Sequence, residues 1–340
     1  MNILYKFKGL FVKKDKFSFG LDIGTQSIKC VKLKLNADQA ELIYFSLEES
    51  QLDPTEILKK IRNEQQADSV NISFCGSSTV IRYVNFLKMN KSELRQALKF
   101  EAQKHIPFSL NEVSLDAEIL RNDLPDNKML VLIAAVKKEF VQQRLRILEN
   151  SALRPNIIDI DSLALVNAFN FNFPKTEVPE NKSICLLNIG ATISNVNIVN
   201  NGIPCLSRDI HSGGANFTKK LMDIFNIDFK EAEKIKINPD ADNANKVKAA
   251  VESVLTNLAA EIRTSFDYYE SQNTSSVVKI FLSGGAGKIP GLAEMLSASL
   301  GIQVELWDPF KKITISDKVD TQKLNQLAGQ FNVAVGLALR

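Results

Sequence analysis

Hydrophobic and polar positions alternate with a period of two at Phe17, Phe19, Leu21 and Ile23, and again at Val31, Leu33 and Leu35, where lysines fill the gaps. A period of two puts alternate side chains on one face of a strand, so the pattern predicts two strands. Between them, Asp22, Gly24, Thr25, Gln26 and Ser27 make a tight hairpin turn whose small residues leave backbone N–H groups unobstructed. Such a turn can hold phosphate. Asp22 then stands where a carboxylate can keep a hydrated Mg²⁺ against the phosphates, and Lys29 falls seven residues later on the returning strand. An ordinary hairpin can also carry Asp-x-Gly-Thr, and from these residues alone both readings stand.

The pattern continues with a third strand over 41–47, a helix opened by Pro54 and built on Ile57, Leu58 and Ile61, and a strand over 69–75. Residues 17–76 thus read β-β-β-α-β. Residues 77–154 read as a separate β-α-β-β-α unit inserted into the first. Its strands cover 80–87, 113–120 and 129–136. One of its helices covers 92–105, with Leu94, Leu98, Ala102 and Ile106 on one face, and ends at Pro107. The other covers 137–150 and is built on Phe140, Leu145 and Leu148. The chain returns through a strand at 156–161 and a helix at 162–171, and the polar stretch 174–182 marks a boundary.

Residues 184–199 repeat the opening pattern. LNIGA at 187–191 matches LDIGT at 21–25, each between an apolar strand and an alternating one, which predicts two related lobes facing each other. Coincidence of two short turns is the alternative until a third motif is counted. Residues 212–274 are helix-rich, with helical spacing at Phe217, Leu221 and Phe225, over 232–237 and over 247–269. A strand at 277–282 then runs into Ser283, Gly284, Gly285, Ala286 and Gly287, and a helix starts near Pro290, the order strand, glycines, helix of a nucleotide site. It is neither a P-loop nor a dinucleotide fingerprint, because Ile289 follows Lys288 and Pro290 breaks the spacing. A strand at 303–306 and a final helix over 327–340 close the chain.

Composition changes this picture little. The 340 residues are 45% hydrophobic and 24% charged, ordinary for a chain that buries sizeable cores. The first 20 residues hold five lysines and one aspartate, so the net charge of +3 is a basic start on a neutral body, not a nucleic-acid-binding surface. That start places Ile3, Leu4, Phe7, Leu10 and Phe11 at helical spacing among lysines, which fits a packed tail or a membrane-surface contact. Cys30, Cys75, Cys185 and Cys205 are scattered without a C-x-x-C pair and read as reduced core thiols of a cytosolic protein. His105 and His211 lack metal-ligand spacing, and the longest apolar run, eight residues at 129–136, is too short to cross a bilayer.

DIGTQSIK, NIGATISN and LSGGAGKIPGL, in this order, resemble the two phosphate hairpins and the adenosine loop of the actin, sugar-kinase and chaperone ATPase superfamily. The unit inserted in the first lobe narrows the resemblance to the cell-division FtsA and pilus PilM families. ELRQALKFEAQKHIPF at 93–108 is similar to the PilM signature E-L-x-x-A-x-x-x-E-A-x-x-x-I-P-F, with further likeness in AEKIK at 232–236, EIRTSFDYY at 261–269 and VAVGLALR at the end. The resemblance covers roughly 17–340.

It implies an α/β, actin-like (ribonuclease H-like) two-lobed ATPase fold. A basic tail (1–16) precedes a first lobe (17–76 with 155–180) that carries the inserted domain (77–154). The second-lobe core (183–211 with 275–340) carries a helical subdomain (212–274). It also implies a cytoplasmic ATP-binding scaffold of type IV pilus assembly, at the inner face of the cytoplasmic membrane. Its partners would be the cytoplasmic tail of PilN, the PilN/PilO inner-membrane complex and pilus motor ATPases, with membrane association through those partners.

By the family motifs Asp22 places Mg²⁺. Gly24, Thr25, Gln26, Ser27 and Lys29 meet the β- and γ-phosphates, and Gly190, Ala191 and Thr192 close the opposite side. Glu233 and Lys236 hold ribose and adenine, or else form a solvated helix face; Gly284, Gly285 and Ala286 let the nucleotide approach the backbone. Asn188 departs from the superfamily, which has a second aspartate there. The remaining acidic candidate for orienting water is Asp161, which could equally be a helix N-cap. ATP binding with slow or absent turnover is the expectation. A small-molecule kinase would need a further carboxylate base in the cleft, and an FtsA relative a C-terminal amphipathic membrane helix beyond 340.

Overall fold

The computed structural model describes residues 16–36, 39–50, 53–173 and 182–340. The basic N-terminal segment expected as a tail lies, but for Lys16, outside the described residues, as does most of the polar boundary at 174–182.

β1 (Lys16–Ile23), β2 (Ser27–Asn36) and β3 (Gln39–Glu49) form an antiparallel meander, and β4 (Ser69–Phe74) pairs parallel to β1 after α1 (Pro54–Gln65). Pro54 opens α1 as predicted, and Asp53 caps it by accepting the Thr55 N–H at 2.9 Å. The two alternating runs point to opposite faces of the sheet. Phe19 and Leu21 share a core with Ile28, Cys30 and α1, whereas Val31 and Leu33 face a second core on the other side. Each face buries its own apolar set because the sheet is covered on both sides.

β5 (Thr79–Leu87), β6 (Val113–Leu124) and β7 (Lys128–Lys137) make a separate sheet in the order β5-β7-β6, with α2 (Lys91–Ala102) packed on it. A capping box between Asn90 and Glu93 starts α2 one residue before the predicted 92. It stops at Ala102, short of the predicted 105. α3 (Lys138–Asn150) follows β7 directly and buries Val141 and Leu148 in the core that α1 fills with Ile57, Leu58 and Ile61. A helix that the pattern grouped with the inserted unit thus packs under the first sheet. β8 (Arg154–Ile160), parallel to β4, leads into α4 (Asp161–Asn172).

The second half repeats the first. β9 (Ser183–Ile189), β10 (Ser194–Asn200) and β11 (Ile203–Ile210) form another meander, followed by α5 (Gly214–Phe225), α6 (Phe229–Ile237) and the long α7 (Ala244–Gln272). β12 (Val277–Ser283) and β13 (Gln303–Leu306), separated by α8 (Leu292–Leu300), join β9 in parallel register. The orders β3-β2-β1-β4-β8 and β11-β10-β9-β12-β13 correspond strand for strand. β14 (Thr314–Ile315) crosses over to extend the first sheet beside β3.

Two expectations change. The helix after the glycines starts at Leu292, behind a 3₁₀ turn at Gly285–Lys288, since Gly291 takes a left-handed backbone. The final helix, expected over 327–340, runs only from Asn332 to Ala338 (α10), after an unexpected α9 (Thr321–Leu327) and a 3₁₀ turn at Ala328–Gln330. That turn leaves the Gly329 carbonyl free to accept the Gly284 N–H at 2.7 Å, tying the end of the chain to the glycine loop.

The two halves share a floor. α10 lies between β1 and α4, so close that a Cβ on Gly20 would overlap the Ala334 carbonyl and one on Gly336 the Ala164 carbonyl. Phe169 stacks on Phe173 at 4.6 Å, and both contact Phe281 and Trp307 from the second half.

Candidate functional site

The parallel strands β1, β4 and β8 of one sheet, and β9 and β12 of the other, end at one cleft of about 500 Å³. Asp22 lies near the end of β1, Asn188 near that of β9, Gly284 follows β12, and Asp161 follows β8. Ligands of open α/β sheets bind outside these carboxyl ends, where loops are free to vary. All sixteen residues singled out from the sequence line this cleft: Asp22, Gly24 to Ser27, Lys29, Asp161, Asn188, Gly190 to Thr192, Glu233, Lys236 and Gly284 to Ala286.

The two turns have the same build. Gly24 N–H donates to the Ser27 carbonyl at 3.1 Å, and Gly190 N–H to the Ile193 carbonyl at 2.9 Å. Their tips meet across the cleft, with Thr25 Oγ1 and Thr192 Oγ1 3.4 Å apart. Among the described residues, no protein acceptor meets the N–H groups of Thr25, Gln26, Ala191 or Thr192. Such amides are suited to anions.

Register sharpens the comparison. Asp22 is paired across its hairpin with Lys29, and Asn188 across its own with Asn195. The first pair is ionic, with Lys29 Nζ 3.0 Å from Asp22 Oδ2; the second is neutral, Asn188 Nδ2 donating to Asn195 Oδ1 at 3.1 Å. Asn195 Nδ2 in turn donates to Asp209 Oδ1 at 2.6 Å, and the other oxygen of Asp209 accepts the Gly76 N–H of the opposite lobe at 2.6 Å. The chain of amides explains why 188 is not acidic. A carboxylate there would place an acceptor against one end of Asn195 while Asp209 holds the other, and turning the Asn195 amide only exchanges the two conflicts. Asn188→Asp should therefore destabilise the chain by about 1–3 kcal/mol, and adding Asp209→Asn should recover most of the loss. Urea unfolding of both singles and the double would show it; additive losses would contradict the reading.

Asp161 is the first residue of α4 but not its N-cap, a position taken by Ile160 without a side-chain hydrogen bond. Its carboxylate instead accepts from Ser73 Oγ at 2.6 Å. Burial, and then the Asp22 charge, push it up to about 6, so it exchanges protons near neutrality. Glu233 and Lys236 are not a solvated face. Lys236 is buried, and its ammonium donates to Thr218 Oγ1 at 2.8 Å, to the Gly214 carbonyl at 3.3 Å and to Glu233, clasping α6 to α5. Burial lowers its pKa while Glu233 opposes the shift.

Several cleft residues escaped the sequence reading. Ser73 and Cys75 flank Phe74 at the end of β4, and their signal is the small polar residues closing an apolar strand. Cys75 is accordingly an exposed cleft residue and not a core thiol, and Cys205 is half-buried; Cys30 and Cys185 are in the core. Phe140, expected on the buried face of its helix, is instead exposed and lines the cleft; Arg144, one helical turn on, and Lys288 of the 3₁₀ turn line it too, and nothing in the local pattern marks Arg144.

A family model described as type IV pilus assembly protein PilM matches residues 20–340. The chain belongs to the PilM family. This PilM-family chain is similar to the solved PilM–PilN type IV pilus biogenesis complex, at 24% identity over 95% of this chain and 98% of that one, with a TM-score of 0.84. It is also similar to ethanolamine utilization protein EutJ from Carboxydothermus hydrogenoformans (13% identity, 96% and 90% covered, TM-score 0.57). MreB 5 of Spiroplasma citri bound to AMPPNP aligns at 10% identity over 95% of each chain, with a TM-score of 0.52. The fold of this PilM-family chain is therefore the actin-like two-lobed α/β fold, as its two matched sheets imply. Among its described residues, no helix is long and apolar enough to cross a membrane.

Proposed function

We propose that the cleft binds ATP with Mg²⁺ and turns it over slowly or not at all, and that the protein serves as a scaffold of pilus assembly at the inner face of the cytoplasmic membrane. The observation that carries this reading is the pair of hairpins, alike in turn and register, whose turns line one cavity from opposite lobes. The residues fit the group. The turns supply donors, Lys29 and Arg144 supply positive charge, and Asp22 is the carboxylate that would hold the metal. Mg²⁺, when bound, neutralises phosphate charge. Asp161 would hold or accept a proton from water at its carboxylate, and the neutral Asn188 leaves the metal site with less charge than two carboxylates would give.

The partner proposed is the cytoplasmic tail of a PilN-like membrane protein, because the solved PilM–PilN complex shares this chain's fold over nearly its whole length. Titration with ATP should show Mg²⁺-dependent binding, and Asp22→Asn should weaken it at least about tenfold, the worth of one lost charged contact. Capture of a PilN-type tail peptide on the purified protein, with and without Mg²⁺ and ATP, tests the scaffold. Absence of both bindings would refute the reading, and phosphate release above about 1 s⁻¹, an ordinary enzyme rate, would refute slow turnover.

A further inference from the structure

Arg144 stands out among the cleft residues because it is held in place yet barely used. Its Nη1 donates to the Ile23 carbonyl at 3.2 Å, the residue directly before the first turn, and its guanidinium lies 5.8 Å from the Phe74 ring centre. These two contacts fix the fork from one side. Among the described residues it makes no other hydrogen bond, and it forms no ion pair with either nearby carboxylate. Asp22 is engaged by Lys29 and Asp161 by Ser73. Both carboxylates act on it through space, working against the burial that disfavours its charge. A guanidinium has five N–H donors and remains charged in proteins. An oriented cation with donors to spare, lining a polar cavity, calls for an anion with several acceptor oxygens.

The position selects which anion. Glu233, Lys236 and the Gly284–Ala286 loop line the cleft from the second half, whereas Arg144, Asp161 and Ser73 line it from the first. A nucleotide whose base and ribose sit on the second-half wall brings its phosphates past the two turns, and the last phosphate comes nearest Arg144. We propose that Arg144 reads the terminal phosphate and so sets the preference for nucleoside triphosphate over diphosphate. This rests on the reading that the cleft binds nucleotide. α3 joins β7 of the inserted sheet to the first-lobe core without a break, so Arg144 stands at the root of the inserted unit.

The test is the ratio of ATP to ADP affinity, measured by calorimetric titration with Mg²⁺ for the unaltered chain, Arg144→Met and Arg144→Lys. Methionine retains the stem over Phe74, and lysine retains stem and charge but not the fork. The expected result is an unaltered chain that prefers ATP, a loss of about 30-fold in ATP affinity for R144M, a loss of about fivefold for R144K, and ADP affinity within about twofold of the original in both. Lysine is the discriminating variant, and it decides alone should R144M fail to fold. If Arg144 merely balances Asp22 and Asp161, R144K keeps the original ratio, and the proposal is overturned. It is overturned too if ATP and ADP affinities fall together. Should the unaltered chain bind neither nucleotide, the underlying reading fails and takes the proposal with it; binding with an unchanged ratio overturns the proposal alone.

Discussion

Asp161→Asn should make the ligand-free protein more stable at pH 7.5, by up to about 3 kcal/mol, and no more stable at pH 4. The carboxyl has a pKa of about 6 in the fold against 3.8 as the ordinary value, so the folded chain binds the proton more tightly than the unfolded one. Stability from this group is then fully present below about pH 4 and is lost as pH rises through 6. Asparagine has no such charge to bury and can still accept the Ser73 hydroxyl bond. The figure is an upper bound, because water enters the cleft and screens the charge. Urea unfolding at the two pH values measures the difference. The effect should shrink in an Asp22→Asn background, since the Asp22 charge is the second cause of the shift. An equal gain at both pH values would mean that charge burial is not its source. If Asp161 takes a proton from water as proposed above, any slow hydrolysis should vanish with the substitution.

Gly336→Ala should prevent normal folding, or cost more than about 3 kcal/mol, although it adds only a methyl group. That methyl would overlap the carbonyl of Ala164, a backbone atom of α4 that cannot turn aside as a side-chain tip could. The closeness at Gly20 seats α10 on β1 in the same way, so the helix cannot slide away from α4 without meeting the sheet. Gly329→Ala is the internal comparison, because a Cβ there meets nothing within 4 Å. It should leave the melting temperature within a degree or two of the original, while G336A lowers it by about ten degrees or yields insoluble protein. Near-equal behaviour of the two variants would disprove the backbone-contact account of the floor.

Period-two alternation located the strands of both hairpins, and the match of LDIGT to LNIGA pointed to two related lobes, whose sheets share one strand order. The cleft was legible for a related reason. Hairpin turns and the glycine loop are local in sequence, so their composition betrays their geometry. Arg144, Ser73 and Asp209 were not legible, because their roles depend on which elements the fold brings together: Arg144 on Ile23, Ser73 on Asp161, Asp209 on Gly76. A period cannot report a partner far away in the chain. The same limit hid β14, whose two residues pair with a strand laid down over 270 positions earlier. It also hid where the final helix begins, at Asn332 behind a 3₁₀ turn whose Gly329 carbonyl accepts from distant Gly284. Asn188 shows the reverse case. The departure from an acidic residue was visible in the sequence, but its cause, the amide row ending at Asp209, was not.

The aromatic packing beneath the cleft has a mechanical consequence. With Phe169, Phe173, Phe281 and Trp307 interlocked at the base, a rotation about that joint is the opening this packing permits, and it would have to break the Asp209–Gly76 bond across the cleft. Displacement grows with distance from a pivot. A small angular change that leaves the rings in contact would part Thr25 from Thr192, whose hydroxyls now meet across the cleft.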